Sequence, residues 1–171
     1  MDYNFRLAVS SDIPRIMEII EQAKMQMIRE NRHQWDDNYP IQKHIMADII
    51  DGNGYVICAD DYVIAYGAVI FGDEPAYASI SGKWLSNKEY VVLHRLAVAD
   101  EMKGRGIATR YMGYVEKLAT ARGICSFKVD TNFDNVYMLR IITNLNFSYC
   151  GEIHYEGGAR MAYENLIQET I

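Results

Sequence analysis

The chain lacks the features of a membrane or secreted protein. Half of its residues are hydrophobic, yet no uninterrupted apolar run approaches the ~20 residues that a bilayer-crossing helix needs. The opening residues, Met1-Asp2-Tyr3-Asn4-Phe5-Arg6, carry neither the basic nor the apolar block of a signal peptide. Cysteine is scarce. Cys58, Cys125 and Cys150 are odd in number and far apart, which argues against a disulfide framework and gives no metal-ligand spacing. They read as reduced thiols buried in strand-like runs of a cytoplasmic protein. Surplus positive charge is absent too: a net charge of −6 argues against nucleic acid as a partner and is mildly compatible with a cationic one. No linker, low-complexity tract or internal repeat interrupts the chain. Its 171 residues are expected to form one domain, 1–171, with a sizeable core.

What is present is a strand, a glycine loop and a helix start in direct succession. Residues 91–99 are β-branched and apolar enough for a largely buried strand. Gly104 and Gly106 follow, and Ile107-Ala108 then opens an amphipathic run to about Arg122. Glycine admits close backbone approach, and the first helical turn presents unpaired N–H groups at the positive end of the helix dipole. Lys103 and Arg105 add charge at the rim, so a phosphate-bearing ligand suits the loop. Two nucleotide signatures are missing. There is no Gly-x4-Gly-Lys-Ser/Thr string, and Gly104-Arg105-Gly106 lacks the third glycine of a dinucleotide fingerprint.

Strand and helix patterns alternate along the chain. Residues 5–9 read as a strand, and Ser10-Ser11-Asp12 caps a helix with Pro14 in its first turn. Ile13, Ile16, Met17, Ile20, Met27 and Ile28 give that helix its apolar stripe, to about Glu30. A polar, aromatic break follows at 31–40. Ile41, Ile45 and Ile49 then mark a second helix, ended at 51–54. Strands at 55–59 and 62–71 flank a tight hairpin at Asp60-Asp61, and 77–88 reads as an irregular insertion. After the glycine loop come a helix to about 122, a strand at 126–131 and a helix capped by Asp134. Strands at 147–155 and 159–166 close the chain around Glu156-Gly157-Gly158. The order β-α-α-β-β-β-α-β-α-β-β implies an α/β (α+β type) mixed sheet flanked by helices on both faces.

Lys103-Gly104-Arg105-Gly106-Ile107-Ala108 resembles the acetyl-CoA-binding motif Arg/Gln-x-x-Gly-x-Gly/Ala of the Gcn5-related N-acetyltransferase (GNAT) superfamily, with Lys in first place. The preceding strand, 93–98, strengthens the match. A second likeness is Asp130-Thr131-Asn132-Phe133-Asp134-Asn135 with Leu145-Asn146-Phe147. There the family begins its fourth helix with Asn and ends it with Gly-Phe. Asn146 stands for the Gly, which suits a left-handed helix C′ position. The element order is also the family's order. The resemblance therefore implies the GNAT-like acyl-CoA N-acyltransferase fold and acetyl-CoA as co-substrate, without a metal. It further implies cofactor binding by the backbone of Leu96, Ala97 and Val98, by the loop Lys103, Gly104, Arg105, Gly106, Ile107, Ala108 and Thr109, and by Asn135. The family's general-acid tyrosine, seven residues after the Asn, is replaced by Ile142.

Acetyl transfer needs a neutral amine, a way to remove its proton, and a donor for the developing oxyanion. The Val98 N–H suits the last role. Strand parity places Tyr90, Val92, His94, Leu96 and Val98 on one face, which makes His94 a candidate base beside its ordinary reading as a hydrogen-bonded structural residue. Glu74 and Asp36-Asp37 are weaker alternatives acting through water. Trp35, Asp36 and Tyr39, with His33, combine aromatic faces and a carboxylate that suit an amine acceptor, and Trp84 offers the same. The bland reading is a helix-helix turn packed on the core. The expected activity is direct transfer from acetyl-CoA to a small-molecule or peptide amine, with no nucleic acid or membrane partner and a homodimer left open. Two other classes stay open: a non-catalytic acyl-CoA-binding sensor or interaction module, and a site for a different nucleotide.

Overall fold

The computed structural model describes residues 1–168. Those residues form a mixed α/β fold of eight strands and four α-helices. They cluster into two compact units, Met1–Val69 with His94–Tyr114, and Ile70–Leu93 with the described residues from Val115 onward. Strand β5 (Val91–Val98) and helix α3 (Ile107–Ala121) each contribute to both units.

In the first unit β1 (Tyr3–Leu7), β2 (Gly54–Ala59) and β3 (Tyr62–Phe71) form an antiparallel meander. Asp60 and Asp61 join β2 to β3 with φ of 47° and 69°, the left-handed pair that a two-residue hairpin turn requires. The expected strand at 5–9 instead starts and stops two residues earlier. Its end is set by Asp12, whose carboxylate accepts the Val9 N–H at 2.8 Å and both guanidinium nitrogens of Arg6 at 2.8 and 3.0 Å. That draws 10–12 into a 3-10 turn ahead of α1 (Ile13–Arg29). Helix α1 buries Ile16, Ile19, Ile20 and Met27. Ile16, Ile20 and Met27 lie on the expected stripe, whereas Ile28 is exposed and Ile19 is buried. Helix α2 (Gln42–Ile50) adds Ile45 and Asp48. Phe5 stacks on Tyr55 and Tyr114 and meets Tyr111 edge-on.

In the second unit β6 (Ser126–Thr131), β8 (Gly158–Leu166) and β7 (Ser148–Tyr155) run antiparallel, and β5 pairs with β6 in parallel through Val91↔Phe127 and Val92↔Lys128. The segment expected to be irregular holds a 3-10 turn, Pro75–Ser79, and a two-residue strand, β4 (Ser81–Gly82), which pairs with β7. That pairing needs two glycines. A Cβ on Gly82 would stand 2.1 Å from the Cys150 carbonyl oxygen, and one on Gly151 would stand 2.3 Å from that of Ser81. The core here joins Tyr77, Val92, Ile153 and Ala162, with Trp84, Tyr90 and Tyr155 against it. Helix α4 (Val136–Asn144) begins on Asn135 rather than Asp134: the Asn135 side chain accepts the Met138 N–H at 3.2 Å. Asn146 follows its C-cap with φ of 63°.

Candidate functional site

The glycine loop is built by anchoring both ends and leaving its middle open. The Ala99 N–H donates to Ile64 C=O at 2.8 Å, and Met102 is buried in the 3-10 turn Asp100–Met102. Asp100 N–H donates to Gln22 Oε1 at 2.9 Å. Lys103 Nζ donates to Asp100 Oδ1 at 2.5 Å and also to Gln26 Oε1, so this lysine straps the loop to α1. Arg105 is exposed. Gly104 and Gly106 have φ of 75° and 73°, and a Cβ added at either would meet no protein atom within 4 Å. The helical ladder of α3 starts with Arg110 N–H on Gly106 C=O at 2.9 Å. The amides of Ile107, Ala108 and Thr109 therefore precede it, at the positive end of the helix. Buried Ile107 fixes this first turn, while Ala108 is half-buried and Thr109 exposed. The loop thus combines open space on the glycine side, amides that precede the α3 ladder, and an exposed Arg105.

Strand β5 approaches this loop with an unexpected backbone. Arg95 has φ of 56°, a left-handed conformation that costs a non-glycine residue of order 1–3 kcal/mol and persists only where surroundings impose it. Those surroundings are ionic. Arg95 Nε and Nη2 donate to the two Asp48 oxygens at 2.9 and 2.5 Å, and Nη1 donates to the Tyr39 hydroxyl at 2.9 Å. The Tyr66 hydroxyl donates to the same Asp48 carboxylate. Side-chain exposures of 13% and 7% make this a nearly buried pair. Burial alone would depress the guanidinium, but Asp48 and Tyr39 hold it above its ordinary pKa, while burial and Asp48 push the Tyr66 phenol up. The left-handed residue also breaks the two-residue alternation of the strand. The parity that put His94 on a shared face with Leu96 and Val98 therefore does not run through Arg95. His94, Leu96 and Val98 are half-buried and Ala97 is buried.

The residues expected to receive the acceptor divide between the units. Trp35 is half-buried, and Asp36 Oδ1 accepts the N–H groups of Asn38 and Tyr39 at 2.8 and 3.1 Å, closing a tight turn. Tyr39 packs edge-on against His44 at 4.9 Å. His44 Nδ1 in turn accepts the Ile41 N–H at 3.0 Å and caps α2; burial and the Arg95 charge lower its pKa. Trp84 belongs to the second unit and is committed there. Its indole N–H donates to Tyr77 C=O at 2.9 Å, and Lys128 Nζ lies 4.4 Å from its ring centroid and 4.0 Å from that of Tyr90.

The second family likeness includes Asp130 and Thr131 without a role for either, and Glu164 of β8 stands outside it. Asp130 Oδ2 accepts the phenols of Tyr77 at 2.7 Å and Tyr155 at 3.1 Å. It lies two residues beyond Lys128, past the registered pairing with β5. The next residue, Thr131, has a buried hydroxyl without a hydrogen-bond partner. Glu164, fully buried, accepts from Leu85 N–H at 2.6 Å and from the hydroxyls of Ser126 at 2.7 Å and Ser86 at 3.2 Å. A lone acid following Val129 in an apolar run was the available signal. On α4, Ile142 is fully buried and Tyr137 is 46% exposed. Among the described residues no group of three His, Cys, Asp or Glu side chains could hold a metal ion, and no helix is long and apolar enough to cross a membrane.

Residues 16–147 match the family model described as acetyltransferase (GNAT) family. The chain belongs to the GNAT acetyltransferase family. This GNAT chain is similar to a solved GNAT-family acetyltransferase of Streptococcus agalactiae at 33% identity, with 98% and 96% of the two chains covered and a TM-score of 0.88. A GNAT-family acetyltransferase of Listeria monocytogenes shares the fold at 15% identity, 96% and 95% coverage and a TM-score of 0.76. So does Salmonella typhimurium yncA, solved with its cofactor acetyl-CoA, at 16% identity, 98% and 95% coverage and a TM-score of 0.68. No curated relative matches the chain.

Proposed function

We propose that this GNAT chain acts as a single domain, 1–171, that transfers an acetyl group from acetyl-CoA directly to an amine in the cytoplasm. The observation that carries the reading is the glycine loop: left-handed glycines at 104 and 106 facing open space, ahead of three amides that precede the α3 ladder. Lys103 to Thr109 would hold the diphosphate, and the amide and carbonyl groups of Leu96, Ala97 and Val98 would hold the pantetheine arm. Asn135 contributes by starting α4. Its side-chain oxygen is already engaged by the Met138 amide. The amine nitrogen attacks the thioester carbonyl, an N–C bond forms, and the C–S bond breaks as CoA leaves. The Val98 N–H is the donor for the oxyanion and His94 is the base that removes the amine proton. Water or the amine protonates the thiolate, because Ile142 offers no proton. Trp35, Asp36 and Tyr39 are the acceptor candidates of the first unit. Trp84 supports the second unit's aromatic wall.

The test couples calorimetry with free-thiol release over a panel of small and peptide amines. Acetyl-CoA should bind the wild type, and Gly106→Val should weaken it by about 5- to 150-fold, the equivalent of about 1–3 kcal/mol for one or two lost amide contacts. Unchanged affinity in folded Gly106→Val would remove the loop from the site. Binding without thiol release over the panel would favour the sensor reading, which buried Ile142 keeps open.

A further inference from the structure

Arg95 stands apart from the groups assigned above to cofactor and acceptor. Its backbone is left-handed in the middle of β5. Glycine would take that conformation freely, whereas arginine takes it only under constraint. The constraint is the fork on Asp48 of α2, braced by the Tyr66 phenol on the carboxylate side and the Tyr39 phenol on the guanidinium side. On one side of Arg95 in sequence stands His94. On the other stand Leu96, Ala97 and Val98. Tyr39 closes the turn that also holds Asp36. One buried cation therefore ties together the strand read as the cofactor's, the candidate base and the segment read as the acceptor's.

We propose that Arg95 is a positioning residue: its ion pair with Asp48 holds the left-handed kink in β5 that presents the 96–98 backbone to acetyl-CoA, and its bond to Tyr39 fixes the acceptor segment against the same strand. The inference rests on the acetyltransferase reading above. Two chemical features make the role specific to arginine. Only a planar fork reaches both carboxylate oxygens while keeping a third donor for Tyr39, and lysine has one compact charge. Both partners of the pair belong to the first unit.

The experiment measures acetyl-CoA affinity by calorimetry at a temperature where every variant is folded, with melting temperatures recorded alongside. Three variants are compared: Arg95→Lys, Tyr39→Phe, and the double variant Arg95→Gly with Asp48→Asn, which removes both buried charges so that neither is stranded. The double variant should bind acetyl-CoA at least tenfold more weakly than the wild type, with Arg95→Lys in between. Tyr39→Phe should leave acetyl-CoA affinity within twofold and raise the KM of the best panel amine about three- to tenfold, with kcat little changed. Lower melting temperatures with wild-type acetyl-CoA affinity in the double variant would make the pair a stabiliser only and overturn the proposal. A wild type that binds no acetyl-CoA would overturn the acetyltransferase reading and this inference together. Wild-type binding with unaltered variants overturns the inference alone.

Discussion

Asp48 in the first unit is held by a guanidinium, whereas Asp130 in the second is held by two phenols. Asp12 follows the first pattern, with Arg6. A cationic partner neutralises the acid and fixes both groups in one geometry, which is how a left-handed arginine survives inside a strand. Neutral donors fix the position of a carboxylate and leave its charge in place. Tyr77 and Tyr155 thus hold Asp130 Oδ2 in place. Burial pushes the Tyr77 phenol well up, and Asp130 adds to that, so Tyr77 stays protonated and donating throughout the working pH range. Within one chain the same residue type makes a clamp in one unit and a charged feature in the other.

The largest expected effect breaks the clamp. Asp48→Ala leaves Arg95 buried and unpaired, and should cost about 3–5 kcal/mol of stability, measured by denaturant unfolding. A loss under 1 kcal/mol would mean the ion pair does not differ in kind from the hydroxyl-held acids. Next comes Tyr77→Phe, which removes one of two donors to Asp130 and should cost about 1 kcal/mol, a third or less of the first change. Equal losses from the two variants would erase the contrast.

A smaller effect sharpens the comparison through pH. Arg6 holds the Asp12 carboxyl below its ordinary value of 3.8, against the opposing pull of burial and with help from the Val9 amide. A depressed folded pKa contributes stability that is complete above the unfolded value and disappears as pH falls through the folded one. The stability of the wild type should therefore fall below about pH 4, and Asp12→Asn should flatten that acid limb. An identical limb in the variant would assign the acid loss to other carboxylates. The smallest effect concerns a phenol on α4. Tyr137 is two residues after Asn135, roughly 200° round the helix, and Tyr137→Phe should keep thiol release within about threefold. A hundredfold loss with normal acetyl-CoA binding would make Tyr137 the missing acid.

Local backbone demands were the legible part of the sequence. The left-handed glycines of the loop, the Asp60-Asp61 turn and Asn146 after α4 each announce themselves within a few residues, because the constraint is satisfied by the residue that bears it. The β6 strand was read at its observed bounds for the same reason: β-branched and aromatic residues bounded by polar ones. Register around a helix was less legible. On α1 the choice between Ile19 and Ile28 depends on which neighbours the helix meets, and Asp134 lost the cap to Asn135 by one residue. The clamp was hidden by distance, since Arg95 and Asp48 are 47 residues apart. Two signs were nonetheless present. An arginine interrupted an apolar strand, and an acid stood three places after Ile45 on the inner face of α2. For Trp84 the aromatic character is visible in sequence, whereas the lysine 4.4 Å from its ring centroid is not.

The glycine pair at 82 and 151 has a consequence for life in a crowded solution. Strand β7 pairs with β8 along one side and with β4 through Gly151 and Glu152 on the other, and Tyr149 on that strand is exposed. An open edge with an aromatic side chain invites another chain to add itself as the next strand. The two residues of β4, with the Lys83 amide on Cys150 C=O at 2.9 Å, occupy the middle of that edge. They can do so only because neither glycine carries a methyl group. A two-residue strand thus takes up the middle of the β7 edge.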